Sequence, residues 1–555
     1  MTVPKGTTLL GLAEMIGNGA AQRCAAPDGH ADSAPAAPAA APAAPAAAPG
    51  APAAPGAPAA SAAAAPIAAI VDNELASLGM QISADCSVRL IGIDTMDGLR
   101  VYERSLTIML VKAVDDLFLG RHVLIRHSVT SGVYFEVAGE TELLPEELTA
   151  IESRMRELAR RRIPFNRHLE FYEFDGYEDR SYGCMAPHSG YIGDFSLLYQ
   201  YPGAIVTYPK PVLARKQQVV ALYNEMPKLL GVFAESKDWG RILGIESIGD
   251  LNKAVRGGAA ADIIRVAEAL QEKRVSQIAD AIAGSQARKR IVLIAGPSSS
   301  GKTTFANRLA IQLRVNGLVA SLISMDNYYL DRDAIPPGPD GSPDFECPEA
   351  LDIGLFMEQM ESIAAGRSVA IPAYDFKTGR RGGAPGRMLN GGEGHVLIVE
   401  GIHGLNPRIT AGIPRERKHR IYISALTALC IDSHNRIPTT DARLVRRIVR
   451  DHQFRNSSAV ETIRMWPSVR AGEDRYIYPY QDNCDSIFNS GLIYELGAMK
   501  ESALPLLSMV GRGCEEHAEA ARLSDFLGHF APISADGIPA NSILREFLGG
   551  SCFDV

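Results

Sequence analysis

The sequence predicts an α/β protein whose principal unit is a parallel sheet flanked by helices. Two observations carry this prediction. The apolar run Ile291–Ala295 leads into Gly296-Pro-Ser-Ser-Ser-Gly301-Lys302-Thr303, and a helical pattern follows over 304–313. From about residue 290 to residue 501, strand-like and helix-like segments then alternate, as a parallel α/β sheet requires.

The strand, loop and helix around Gly296 form the first element. The loop fits G-x-x-x-x-G-K-[ST], the phosphate-binding P-loop. Its glycines allow a tight curl that turns backbone N–H groups toward phosphate oxygens. The candidate nucleotide-binding residues are therefore Gly296, Pro297, Ser298, Ser299, Ser300, Gly301, Lys302, Thr303 and Thr304. Lys302 is expected to place its charge at the β/γ-phosphates, and the Thr303 hydroxyl to reach Mg²⁺. The implied phosphate donor is ATP or GTP.

Two carboxylates follow at strand ends. Glu400 closes the apolar run His395-Val-Leu-Ile-Val-Glu and is the second candidate metal-side group, with a helix cap as the alternative. Asp326 follows a predicted strand at 319–324, in Ser-Met-Asp-Asn-Tyr-Tyr. In a parallel sheet such positions open onto the ligand crevice, so Asp326 is a candidate base for an attacking hydroxyl. An Asx turn is the plainer reading. Tyr328 lies beside it, and Tyr374, Arg380 and Arg381 follow another short strand; Tyr328, Tyr374 and Arg381 are candidate acceptor-binding residues. Farther on, Arg443, Arg447 and Arg450 fall at i, i+4 and i+7 of a predicted helix that also carries Arg455. This one-sign face, read as lacking balancing carboxylates, could clamp a transferring phosphoryl group. Arg450 is the candidate catalytic member, with Asp326 and Lys302; Arg447 and Arg455 are expected to bind substrate.

These motifs, together with Asp344-Phe-Glu-Cys-Pro-Glu-Ala-Leu-Asp352, resemble the uridine kinase/phosphoribulokinase family over roughly 285–500. The resemblance implies a magnesium-dependent kinase that phosphorylates a nucleoside 5′-hydroxyl, uridine first. Asp326 would be the base, Tyr374 a nucleoside contact and the arginines a phosphate-binding lid. A His usually follows that Tyr in uridine–cytidine kinases, and Gly379 stands in that region here. Phosphoribulokinase-like or other small-molecule kinases remain as alternatives.

The front half resembles threonyl-tRNA synthetases through Asp97-Gly-Leu-Arg-Val-Tyr-Glu-Arg-Ser and Cys184-Met-Ala-Pro-His188. This implies a small TGS-like module at 1–95, split by an Ala/Pro-rich tether at about 25–66. An α+β domain like the synthetase's second additional domain would follow at 96–225. A helix at 105–118 and strands at 122–127 and 132–137 are expected there. By alignment Ile108 and Lys112 replace the helix histidines, leaving Cys184 and His188 short of the four ligands of a structural zinc site. A helical connector at 226–284, the P-loop kinase domain at 285–505 and a helical tail at 506–555 complete the expected order. RNA binding or tRNA editing by the front half is the rival reading from another class, disfavoured by the missing histidines.

Composition narrows the partners. The 555 residues carry a net charge of −8, which argues against a general nucleic-acid coat. No apolar run reaches the roughly 18 residues of a membrane helix. Glu14 interrupts the apolar start, so no signal peptide is expected. The eight cysteines form no C-x-x-C pair and read as reduced cytoplasmic thiols. A homo-oligomer is expected.

Overall fold

The computed structural model describes residues 6–14, 65–129, 132–139, 141–169, 171–209, 226–285, 291–338, 341, 343–375, 378–382, 386–389, 395–427 and 429–554. The tether expected at 25–66 lies outside them except for residues 65 and 66.

The chain opens with helix α1 (9–14) and an antiparallel sheet of β1 (Ala68–Val71), β2 (Glu74–Ser77) and β3 (Val88–Ile91), with β1 in the middle. Leu9 and Leu12 on α1 pack with Ala69, Val71 and Leu78, so the two sides of the tether share one small core. Helix α2 (Met96–Leu117) starts nine residues before the expected 105. Thr95 caps it by accepting the Gly98 N–H at 3.1 Å. Gly98 has no side chain because a Cβ there would sit 1.9 Å from the Gly92 carbonyl.

β4 (His122–Val129), β5 (Gly132–Ala138), β9 (Ser196–Gln200) and β10 (Gly203–Thr207) form a second antiparallel sheet in the order β4-β5-β10-β9. Helices α2 and α3 (Pro145–Arg161) pack against each other beside it, and a small meander of β6 (Asn166–His168), β7 (Phe171–Phe174) and β8 (Tyr177–Arg180) follows α3. The expected helical stretch before the P-loop is three helices: α4 (Pro227–Leu243), α5 (Ile248–Arg256) and α6 (Ala260–Ala283). Gly244 stops α4 at φ 66°, and the Ser247–Asp250 capping box restarts the chain as α5. Residues 210–225 and 286–290, on either side of that stretch, are outside the described set.

The kinase-like part is built on five parallel strands in the order β12-β17-β11-β18-β19. They are β11 (Ile291–Ala295), β12 (Val319–Ser324), β17 (His395–Glu400), β18 (Lys418–Ser424) and β19 (Ser486–Asn489). β11 is central and buried at every position, as its uninterrupted apolar run requires. Helix α7 (Lys302–Val315) follows β11, and α8 (Ile353–Ala364) follows the Asp344–Asp352 motif. The short strands β13 (Val369–Ala370) and β16 (Met388–Leu389) pair, as do β14 (Tyr374–Asp375) and β15 (Arg380–Arg381). The turn α9 (Pro407–Thr410) follows β17.

Helices α10 (Thr439–Arg455) and α11 (Ala459–Tyr476) carry the arginine-rich segment. The tail adds α12 (Glu495–Ser508), α13 (His517–Gly528) and the one-turn α14 (Arg545–Leu548). These pack with α6, α7 and α10 into one core that includes Phe305, Leu444, Leu523 and Phe547. The front half is seated on this body: the Ile125 N–H donates to the Ser433 carbonyl at 2.9 Å, and Arg100 donates to Glu519 at 2.7 Å. Among the described residues, no helix is long and apolar enough to cross a membrane.

Candidate active site

The loop after β11 has the shape its sequence demands. A Cβ on Gly296 would lie 2.2 Å from the Ile423 carbonyl of β18, and Gly301 sits at φ +82°. The curl delivers Lys302 to the first position of α7, where the leading N–H groups of a helix have no partner within the helix. The Lys302 ammonium donates to the carbonyls of Gly296 at 3.1 Å and Pro297 at 3.2 Å. Thr303 is half-buried on the first turn beside it.

Sheet register brings the two expected carboxylates together. Ser324 at the end of β12 pairs with Glu400 at the end of β17, so Asp326 and Glu400 emerge side by side, next to β11 and its loop. Desolvation raises the Asp326 carboxyl, opposed by the positive charges of Lys302, Arg455 and Arg450. Desolvation and then the neighbouring Asp326 push Glu400 up to about 7, against Lys302 and a hydrogen bond from Ser324. The Lys302 ammonium is lowered by desolvation and supported by Glu400, Asp326 and Glu546. One cation and two carboxylates thus share the carboxyl edge of the sheet, where α/β proteins bind ligands.

The donor set suits Mg²⁺. The Thr303 hydroxyl and the Glu400 carboxylate are hard oxygens of the kind Mg²⁺ takes. Mg²⁺ bound through few protein oxygens, waters and substrate phosphates fits that arrangement.

The arginines divide by function of position. Arg443 is fully buried, pairs with Glu473, and donates to the Ser298 carbonyl at 3.0 Å and the Tyr478 hydroxyl at 2.9 Å. Arg446 is buried against Glu495 and Ser490. Arg447 reaches the loop, donating to Ser298 Oγ at 2.9 Å and to Asp451 at 3.2 Å. Arg450 donates to Asp451 at 2.6 Å, and Arg455 lies 3.7 Å from the same carboxylate. The expectation of an unbalanced one-sign face is therefore corrected. Asp451 balances it from the same helix, and Glu473 and Glu495 from α11 and α12. Three guanidiniums crowd Asp451, and desolvation together with Arg450 holds Arg455 down at about 10.

On the acceptor side the register of the tyrosines differs from expectation. Tyr328 is fully buried, donates to Gln359 Oε1 at 2.7 Å and stands edge-on to Phe356, so it is a core residue and not a substrate contact. Its neighbour Tyr329 is buried as well: it donates to the Phe345 carbonyl at 3.0 Å, its ring is 5.6 Å from that of Tyr374, and it lies within electrostatic reach of Asp326 and Glu346. Arg381, expected to hold substrate, is a brace. It donates to the Tyr329 carbonyl at 3.2 Å and to Asp352 at 3.0 Å, while Arg380 is exposed.

Three acidic residues were not singled out from sequence. Desolvation pushes Glu346 up to about 7, against the charge of Arg447, and the Asp344–Asp352 motif was its only signal. Glu473 accepts the Ser298 N–H at 3.2 Å. Glu546, from the tail, accepts from the Thr304 N–H at 3.2 Å and from Thr304 Oγ1 at 2.8 Å. No local pattern marks either of the last two.

In the front half, the Cys184 thiol is buried and donates to the Leu75 carbonyl at 3.6 Å. His188 Nδ1 accepts the Gly190 N–H at 3.1 Å, Ile108 is buried, and Lys112 donates to Asp116 at 2.6 Å.

Residues 291–494 match the model of the Phosphoribulokinase / Uridine kinase family. The uridine kinase of Ureaplasma urealyticum serovar 10 is 27% identical over 196 residues, covering 35% of this chain and 85% of that protein. The uridine kinase of Staphylococcus aureus strain JH9 is 28% identical over 202 residues, covering 36% of this chain and 87% of that protein. Among solved structures, a possible uridine kinase from Bacillus stearothermophilus is 18% identical, covering 39% of this chain and 98% of that one, with a TM-score of 0.27. A D-glycerate 3-kinase from Cryptococcus neoformans var. grubii is 16% identical, covering 37% and 88%, with a TM-score of 0.26.

Proposed function

We propose that this chain, whose residues 291–494 match the model of the phosphoribulokinase / uridine kinase family, is an ATP-dependent nucleoside kinase acting on the 5′-hydroxyl, with uridine the first substrate to test. The observation that carries it is the meeting of Asp326, Glu400 and Lys302 at one sheet edge. In this reading the γ-phosphoryl group lies between Lys302 and the arginines of α10. Asp326 takes the proton of the 5′-hydroxyl as its oxygen bonds to the γ-phosphorus. The bond from that phosphorus to the β–γ bridging oxygen breaks, and ADP leaves. A carboxyl raised above the ordinary range is a stronger base than a free aspartate, which suits this role. Mg²⁺, held by Thr303 and through Glu400, would neutralise charge on the β- and γ-phosphates.

Arg455 and Arg450 act by charge on Asp326 after Lys302, and Arg447 touches the loop, so these three arginines are the proposed phosphate clamp. Tyr374, with Tyr329 beside it, is the proposed aromatic surface for the nucleoside, a choice that favours a base over a bare sugar phosphate. GTP is a second donor to test. The reading is tested by ADP release across uridine, cytidine, adenosine, guanosine, inosine, ribulose 5-phosphate and pantothenate. Asp326→Asn should retain ATP binding and lose turnover by on the order of 10²-fold or more. Turnover of ribulose 5-phosphate or pantothenate with none of any nucleoside would defeat the nucleoside assignment.

For the front half we propose a TGS-like module and a synthetase-like α+β domain that serve as scaffold, ahead of the helical connector and the kinase domain. The Cys184 thiol bonded to Leu75 of β2 supports a structural use, since it ties the two front units together. A reduced cytoplasmic setting and a homo-oligomer belong to the same reading. RNA retention by the purified chain would favour the rival.

A further inference from the structure

The tail beyond the family match reaches back to the phosphate loop. Ile543, Leu544 and Phe547 are fully buried, and the Arg446 guanidinium of α10 lies 5.1 Å over the Phe547 ring. Ile543 presses on Gly301, where an added Cβ would come within 2.5 Å of its Cγ2. This anchoring sets the Glu546 carboxylate at the first turn of α7, where its Oε2 takes both the Thr304 N–H, at 3.2 Å, and the Thr304 hydroxyl, at 2.8 Å.

That position has a specific chemistry. The first N–H groups of a helix lack partners within the helix, and together with the helix dipole they form an anion site. In a P-loop these are the groups that receive nucleotide phosphate oxygens. A carboxylate oxygen satisfies the same donors as a phosphate oxygen, and one N–H cannot serve both fully. Thr304 is itself completely buried, so no second approach is open to an incoming oxygen while Glu546 holds it. Glu546 also lies within electrostatic reach of Lys302, the cation expected at the β/γ-phosphates, so its charge opposes that of an incoming phosphate. Glu473 is arranged alike at the other end of the loop, on the Ser298 N–H.

We propose that the C-terminal segment around Glu546 is a built-in competitor of the nucleotide: its carboxylate stands in for a phosphate oxygen at Thr304 and must withdraw before ATP binds fully. The inference rests on the P-loop reading of residues 296–304. It makes nucleotide affinity depend on how tightly the tail is docked, so that whatever loosens Ile543, Leu544 and Phe547 activates the kinase.

The experiment measures ADP affinity of the full chain by calorimetry, for the wild type and for Glu546→Gln. Gln keeps the shape and removes the charge, so the dissociation constant for ADP should fall on the order of tenfold, the loss of one charge-assisted hydrogen bond by the competitor. An unchanged or raised dissociation constant overturns the proposal. Hydrogen exchange on the wild-type chain supplies a second measurement that needs no variant. Peptides spanning 541–549 should exchange faster at saturating ADP, and equal or slower exchange sinks the idea. Lys302→Ala separates the two layers. If it binds ADP like the wild type, the P-loop reading itself fails. If it loses ADP while Glu546→Gln behaves as wild type, only the tail's role is wrong.

Discussion

Replacing Glu473 by Gln should destabilise the kinase domain more than any exposed charge change in it. Glu473 has no solvent exposure and receives the Arg443 guanidinium, Arg470 at 2.6 Å, the Tyr478 hydroxyl at 3.1 Å and the Ser298 N–H at 3.2 Å. Burial by itself would raise this carboxyl; Arg443 and Arg470 outweigh it and hold the group below the ordinary glutamate range. An amide can still accept hydrogen bonds but leaves the buried Arg443 without a counter-charge, and breaking such a pair costs about 3 kcal/mol or more. For a domain near 200 residues, about 3 °C of melting temperature follows each kcal/mol, so the variant should melt about 10 °C lower at neutral pH. The pH dependence has a definite sign. Because the folded carboxyl is depressed, the stabilisation is present above the unfolded glutamate value and is lost as pH falls through the lower folded value. Scanning calorimetry at pH 7 and in steps below pH 4.5 should therefore show the gap between wild type and Glu473→Gln narrowing on acidification. A shift under about 2 °C at pH 7, or a gap that widens in acid, would refute the argued role of the Arg443–Glu473 pair.

Phosphoryl transfer should fall as pH drops through about 7, well above the range of an ordinary carboxylate, because Glu400 at about 7 and the raised Asp326 must be ionised to bind metal and accept the proton; a kcat/KM profile flat from pH 8 down to pH 5 would contradict this. Tyr374→Ala should raise KM for the nucleoside by roughly tenfold, corresponding to ~1–3 kcal/mol of base stacking, while KM for ATP changes little; equal changes in both would remove the aromatic contact from the acceptor side. Metal analysis of the purified chain should find no stoichiometric zinc, since Cys184 and His188 alone cannot complete a site; one zinc per chain, lost in Cys184→Ala, would revive an editing function for the front half.

The sequence by itself determined the elements whose cause is local. The run Ile291–Ala295 is buried at every position because only a strand covered on both faces wants five consecutive apolar residues, and Gly296 and Gly301 follow because the loop's curl leaves no space for a Cβ. Glu400 and Asp326 were legible as strand-end carboxylates from the period of the strands before them. What sequence could not give was any feature set by rotation or by distance along the chain. Tyr328 went into the core because the 3₁₀ turn after β12 sets it against Gln359 and Phe356, partners that composition cannot register. Of the arginine face on α10, only Arg443 is balanced from afar, by Glu473, 30 residues away, which arrives when α11 packs; Asp451, which holds Arg447 and Arg450, lies on the same helix and was within reach of the sequence. Glu546 is 242 residues from Thr304 and carries no motif. Its place at the phosphate loop exists only because Ile543 and Phe547 find their apolar partners there, and burial of side chains, being non-directional, leaves no local signature of which partner it will choose.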